Sequence, residues 1–175
     1  MQPGKKIYIL IGPKGSGKTF IGNLLSSHFS MPFLPVEAIA LKLKNERNYD
    51  NDTYILEVFE AIEKAVRKCL VQGDEIIFEA TGLTDAFDKM LLRLQGDFNV
   101  KLIKIITRPE ICLDRIKTRD NTQQIKMADN DIQAINSLSM DKTFVFDGEI
   151  DNNKATGQQI IDAFRKIIKA TNHRV

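Results

Sequence analysis

Short apolar runs alternate with stretches in which apolar residues recur at helical spacing, and this alternation continues along the 175-residue chain. Ile7-Tyr8-Ile9-Leu10-Ile11 reads as a first strand, followed by a helix over Lys18 to Phe29 with Phe20, Ile21, Leu24, Leu25 and Phe29 on its inner face. Met31-Pro32-Phe33-Leu34-Pro35 is a short strand that its prolines confine to a sheet edge. A weak helix over Val36 to Lys44 and a polar loop over Asn45 to Asp52 come next. The strongest periodicity is Tyr54, Ile55, Val58, Phe59, Ile62, Val66 and Leu70, a buried stripe closed by Gly73. Asp74-Glu75-Ile76-Ile77-Phe78 is a strand, and a helix over residues 84–95 starts at a Thr84 cap and buries Phe87, Met90, Leu91 and Leu94.

A strand over residues 100–106 leads into Thr107-Arg108-Pro109-Glu110, where Thr and Glu have capping-box spacing, and a basic helix runs to Arg119. Asp120 to Asn130 is polar and loop-like. A short helix over Asp131 to Leu138, a strand Thr143-Phe144-Val145-Phe146 and a helix over Thr156 to Ala170 complete the chain. No internal repeat is visible. Five strands with helical crossovers predict a three-layer α/β/α fold around a five-stranded parallel sheet, with residues 1–175 as a single domain.

Between the first strand and the first helix stands Gly12-Pro13-Lys14-Gly15-Ser16-Gly17-Lys18-Thr19, a complete phosphate-binding loop in the context that such a loop needs. A strand delivers it and a helix leaves it, so that backbone N–H groups at the helix start can hold a β-phosphate. The glycines let the backbone close without Cβ clashes, Lys18 reaches β and γ oxygens, and the Thr19 hydroxyl is a Mg²⁺ ligand. The chain is therefore read as binding a nucleoside triphosphate, with Gly12 to Thr19 as its binding residues.

Composition adds limits. With 43% hydrophobic and 27% charged residues the chain is an ordinary globular one, and no apolar stretch approaches a membrane span. The N-terminus enters a strand without a signal-like segment, which sets a cytoplasmic expectation. Cys69 and Cys112 are isolated and read as buried thiols; His28 and His173 are likewise unpartnered. A net charge of +2 does not argue for nucleic acid, but residues 101–126 carry seven basic side chains against three acidic ones. That cluster is either a solvated helix face or phosphate-handling machinery.

The motif alone does not separate kinases from GTPases, motor ATPases or regulators. No Asn-Lys-x-Asp guanine reader is present, and Glu79-x-x-Gly82 is at most a distant echo of a GTPase switch. At this point the chain resembles the small P-loop kinases, the group of shikimate, gluconate and adenylate kinases and the polynucleotide 5′-kinase-like enzymes, over nearly its full length. Glu79-Ala80-Thr81-Gly82-Leu83 is similar to the Asp-Ala-Thr-x-Leu segment of the polynucleotide-kinase-like branch. Pro109 to Arg119 is similar to the start of that group's mobile lid, which implies a lid over residues 115–130 and a substrate-binding region over residues 36–72.

The resemblance implies an ATP-dependent phosphotransferase acting on a hydroxyl or phosphate of a small molecule or nucleotide, with ATP and Mg²⁺ as cofactors. It implies that lid arginines, here Arg115 and Arg119, close over the transferred phosphate; the two are four apart and share a helix face. It places Glu37 nearest the carboxylate that accepts the substrate proton. Glu79, at the carboxyl end of a buried strand beside the loop, is assigned to Mg²⁺ through water or to substrate. Lys18, Arg119, Arg115 and Glu37 are thus the expected catalytic residues, and Thr19 and Glu79 the expected metal site. There are departures: Phe20 replaces a second hydroxyl residue, Ala40 replaces an arginine, and the triple glycine and Asp pair of shikimate kinase are missing. Phe20, Ala40 and Glu37 in place of an Asp keep open a degenerate kinase acting as a nucleotide-binding sensor or partner, and the Ala80-Thr81-x-Leu83 segment with the basic lid keeps open a nucleic-acid 5′-hydroxyl kinase. No aromatic stacking run favours the second. The oligomeric state is not legible.

Overall fold

The computed structural model describes residues 4–46, 51–118 and 129–171. The elements run β1 (Lys6–Ile11), α1 (Lys18–Phe29), β2 (Phe33–Leu34), α2 (Val36–Glu46), α3 (Asn51–Gln72) and β3 (Glu75–Ala80). They continue with α4 (Asp85–Asp97), β4 (Asn99–Ile106), α5 (Pro109–Thr118), α6 (Asp129–Asp141), β5 (Gly148–Asp151) and α7 (Gly157–Thr171). The strands form one sheet in the order β2-β3-β1-β4-β5, and every pairing is parallel. β1 is central, with Ile7 opposite Ile76 and Val100, and Ile11 opposite Ala80 and Lys104.

Successive side chains of a strand point to opposite faces, and here both faces are buried, which is why β1 and β3 read as unbroken apolar runs. One face carries Ile7, Ile9, Ile11, Ile76, Phe78 and Leu102, packed with Val58, Ile62 and Val66 of α3 and Phe87, Met90 and Leu94 of α4. The other carries Tyr8, Leu10, Ile77, Ile103, Ile105 and Ile150 against Ile21 and Leu25 of α1 and Ile160 and Phe164 of α7. These two cores make the three-layer α/β/α architecture that the apolar pattern predicts. Parallel strands leave all carboxyl ends on one edge, where the phosphate loop and the β3–α4, β4–α5 and β5–α7 connections meet.

Local chemistry explains several boundaries. The Thr84 hydroxyl accepts from Phe87 N at 3.2 Å and caps α4 as expected. Thr156 and Gln159 form a reciprocal capping box at α7, the Gln159 carbonyl accepting from Thr156 N and the Thr156 hydroxyl from Gln159 N. Glu63 on α3 ties two helices together, accepting from Arg67 one turn on and from Arg93 of α4.

The structure corrects three local expectations. The fifth strand is Gly148–Asp151 and not residues 143–146. Phe144 and Phe146 do alternate inward, edge-on to each other with Phe144 also edge-on to Phe87, while Val145 is 93% exposed, but their backbone stays outside the sheet. Pairing begins only where Asp147 accepts from Leu102 N through its carboxylate, and Gly148 must lack a side chain because a Cβ there would sit 2.5 Å from Ile167. Phe20 is 58% exposed and not on the inner face of α1, whose buried line is Ile21 and Leu25, one position round the helix. Thr107 does not cap α5: Pro109 is the first helical residue, as its fixed φ favours, and the Thr107 hydroxyl donates instead to Ser16 O at 3.0 Å.

Candidate active site

The phosphate loop closes at the edge of the sheet as the glycines allow. Gly15 and Gly17 hold φ of 84° and 86°, which L side chains rarely adopt. Gly17 is the N-cap of α1 and supplies no side-chain cap, so the first amides of the helix remain available to an anion. Lys18 is only 9% exposed, and its ammonium donates to Gly12 O at 2.9 Å and Pro13 O at 2.8 Å. Burial pushes the Lys18 pKa down, against the opposing pull of the Glu79 carboxylate. The Thr19 hydroxyl donates to both carboxylate oxygens of Glu79 at 3.0 Å. Glu79 itself is 6% exposed at the end of β3.

These groups share a pocket of about 210 Å³ with Lys14, Glu37, Val36, Ala40, Phe59 and Thr81. Glu37 stands in the first turn of α2, and its Oε1 lies 3.4 Å from the Lys14 ammonium. Lys18, Thr19, Glu37 and Glu79 are therefore brought together from three separate segments. A hydroxyl and a carboxylate are hard oxygen donors of the kind Mg²⁺ takes when phosphate oxygens and water fill its other positions. The donor set fits Mg²⁺. Among the described residues no cluster of three or more His, Cys, Asp or Glu side chains forms a self-sufficient metal site.

Behind the loop a second set of contacts holds its shape. The Ser16 carbonyl accepts from the Thr107 hydroxyl at 3.0 Å, from Asn152 Nδ2 at 2.8 Å and from Arg115 Nη1 at 3.4 Å. Arg115 also donates to Asn152 O at 3.0 Å, so α5, the β4–α5 turn and the β5–α7 loop converge on one loop carbonyl. Arg115 thus lies against the phosphate loop. Cys112 is buried beneath it: a Cβ on Gly15 would lie 2.4 Å from Cys112 O. Burial pushes the Cys112 thiol up despite the neighbouring Lys18 and Arg115 charges. The Ser16 hydroxyl is buried with no partner among the described residues. From the front, Asn136 of α6 clasps Lys14, accepting from its N at 2.7 Å and donating to its O at 3.0 Å.

Thr107, Asn136 and Asn152 are site residues that sequence reading missed, since single polar residues in a helix and two turns carry no motif. The buried polar class holds all three at 4–5% exposure, but that signal exists only in the fold. A further groove of about 490 Å³ runs from Arg108 past Asp151, Asn153 and Lys154 to Gln159. Asn152, between the lining residues Asp151 and Asn153, donates to Ser16 O of the loop. Arg119 and His173 lie outside the described residues, as does most of the expected lid, residues 119–128.

A family model described as AAA domain matches residues 7–138. Among solved structures, the chain is similar to a gluconokinase from Sinorhizobium meliloti, with a TM-score of 0.65 at 15% identity over 98% of this chain and 96% of that one. It is similar to a shikimate kinase from Acinetobacter baumannii in complex with shikimate, with a TM-score of 0.63 at 17% identity over 99% and 97%. An APS kinase from Mycobacterium tuberculosis, in complex with AMPPNP and APS, aligns with a TM-score of 0.63 at 12% identity over 97% and 99%. Likeness at these identities is likeness of fold, and it spans each partner almost end to end. With a complete phosphate loop at the carboxyl edge of a parallel sheet, the chain belongs to the AAA domain family and has the fold of the small P-loop kinases.

Proposed function

We propose that the protein is an ATP-dependent phosphotransferase that moves the γ-phosphate of ATP to a hydroxyl or phosphate of a small molecule or nucleotide. One observation carries the reading: Lys18, Thr19, Glu79 and Glu37 line a single pocket, so donor and acceptor groups meet there. The kinase names of the structural neighbours support it.

The chemistry follows from the donors present. The amides of Gly15 to Thr19 and the Lys18 ammonium would hold the β- and γ-phosphates, for which Lys18 exchanges its present bonds to Gly12 O and Pro13 O. Thr19 Oγ1 and Glu79 would hold Mg²⁺, which would supply neutralisation of the negative charge on the phosphates. Glu79 would orient that ion's water shell and return Thr19 to it in place of their mutual hydrogen bond. The acceptor oxygen attacks the γ-phosphorus, its proton passes to a Glu37 carboxylate oxygen when the acceptor is a hydroxyl, and ADP departs. Arg115, already against the loop, would turn its guanidinium from Ser16 O to the equatorial oxygens. Arg119 keeps the same role on its sequence position alone. The groove beside Arg108 and Asn153 is of a size to take the nucleoside.

ATP consumption measured across nucleosides, nucleotides, sugars, shikimate and 5′-hydroxyl oligonucleotides tests the reading. Turnover with one acceptor class, lost in Lys18→Ala, is the expected result. ATP binding with no acceptor-dependent consumption by any of them would favour the nucleotide-sensor alternative.

A further inference from the structure

The pocket of about 210 Å³ beside the phosphate loop is lined by two unlike sets of side chains. One set is charged: Lys14, Lys18, Glu37 and Glu79. Both of its cations already face carboxylates, the Lys14 ammonium 3.4 Å from Glu37 Oε1, and Lys18, which donates to Gly12 O and Pro13 O, with Glu79 as its strongest opposite charge. Among the described residues no other basic side chain lines the pocket, so its charged side chains sum to zero. The second set is apolar: Val36 and Ala40, four residues apart on α2 and hence on one helix face, and Phe59 of α3. This set is held in place. Ala40 O accepts from the Tyr54 hydroxyl at 2.7 Å, which ties α2 to α3, and the Phe59 ring stands edge-on to Phe87 with centroids 5.9 Å apart. None of the three side chains carries a hydrogen-bonding group.

An anionic acceptor entering here would meet two carboxylates and the γ-phosphate, with both lysines already engaged, and like charges at short range repel. A polyol would press hydroxyls against Val36, Ala40 and Phe59, where they find no partner. A hydroxyl on an uncharged body with one apolar side meets neither penalty. We propose that the acceptor is an uncharged alcohol with an apolar flank, its hydroxyl at Glu37 and its flank on Phe59, and not a phosphate, a nucleotide or an acid. The inference rests on the phosphotransferase reading of this pocket and narrows it from hydroxyl or phosphate acceptors to hydroxyls. Transfer forms a bond from the alcohol oxygen to the γ-phosphorus, breaks the bond from that phosphorus to the bridging oxygen, which leaves on ADP, and puts the alcohol proton on Glu37.

Charge-matched probes test it. Cyclohexylmethanol is compared with its 4-carboxylate, and thymidine with thymidine 3′-monophosphate, by saturation-transfer NMR titration with Mg²⁺ and a non-hydrolysable ATP analogue, and then by ATP consumption. In each pair the uncharged member is expected to bind at least about tenfold more tightly, the scale of one buried charge left without a partner. Glu37→Gln removes one of the repelling carboxylates and is expected to shrink that ratio several-fold. Val36→Arg adds a cation to the apolar set and is expected to bring the anionic member level with its twin or ahead of it; Val36→Lys is read the same way if Val36→Arg lowers the melting temperature. Anionic members that bind the wild type as well as their twins, a ratio that neither Glu37→Gln nor the Val36 variant moves, or no binding by any member overturns the inference. Lys18-dependent ATP binding, or ATP consumption with an acidic or phosphate acceptor, would still leave the phosphotransferase reading standing. If the wild type binds no ATP, both fall.

Discussion

Glu79 faces two ways, toward the Thr19 hydroxyl and into the pocket, and it is nearly fully buried with Lys18 as its close cation. Glu79→Gln keeps the shape and a hydrogen bond to Thr19 but removes the charge that would organise Mg²⁺. Single-turnover rates should fall by about 100-fold while ATP affinity changes by less than about threefold, as expected of a group whose contribution is larger in the transition state. Unchanged rates would return Glu79 to a structural role. Arg115→Ala should likewise lower the rate far more than affinity, with Arg115→Lys recovering only part because a point charge replaces a planar fork. Arg119→Ala is expected to cost at least about 100-fold in turnover on the same argument. Wild-type rates in both alanine variants would remove the basic cluster from the chemistry and leave Arg115 with only its contacts to Ser16 O and Asn152 O. Lys18 and Thr19 were legible from the phosphate-loop motif and the place of Glu79 from a strand end beside it, whereas Glu37 was singled out only through the resemblance to the small P-loop kinases. Asn136, Asn152 and Thr107 were not, because their role is set by which loop carbonyl or amide the fold brings within 3.0 Å of them.

At the scale of elements, periodicity located both cores, since α3, α4, β1 and β3 each bury a continuous line of apolar side chains. It failed where burial and backbone pairing part company: Phe144 and Phe146 pack inward from an irregular segment, whereas β5 buries Ile150 alone and pairs from Gly148 onward. The phosphate loop depends on α5 through a contact that leaves no room for a side chain. Gly15→Ala combines a positive φ with a Cβ 2.4 Å from Cys112 O, so it should destabilise the fold by about 1–3 kcal/mol and abolish nucleotide-dependent stabilisation. A wild-type melting temperature in that variant would contradict the loop geometry. The α3–α4 contact has a pH signature. Burial alone would raise the Glu63 pKa, but hydrogen bonds from Arg93 and Arg67 outweigh it and hold the carboxyl below its ordinary value of 4.5. Its stabilisation is complete above that value and is lost as pH falls through the lower folded-state pKa. Melts between neutral pH and pH ~3 should therefore show a steeper acid decline for the wild type than for Glu63→Gln; parallel curves would count against the ion-pair account.

For the whole molecule, the arrangement places everything chemical on one edge. A parallel sheet sends its strand ends there, α1 starts there, and α5, the β4–α5 turn and the β5–α7 loop meet at the Ser16 carbonyl. No described helix is long and apolar enough to cross a membrane. The fold class was readable from the alternation of strands and helices together with one motif. The acceptor was not, because the pocket proposed to take it is lined by residues from four segments, among them Val36, Ala40, Phe59 and Thr81, that no local pattern joins. A ligand that binds the folded state alone stabilises it by mass action, so ATP with Mg²⁺ should raise the melting temperature of the wild type and leave that of Lys18→Ala unmoved. The most direct measurement of the central claim is a calorimetric titration of ATP, with and without Mg²⁺, into the wild type and Lys18→Ala. The account predicts one site per chain, tightened by Mg²⁺ and weakened at least about 100-fold by losing the lysine proposed to contact the β- and γ-phosphates. Absence of binding by the wild type, or equal binding by Lys18→Ala, would contradict it.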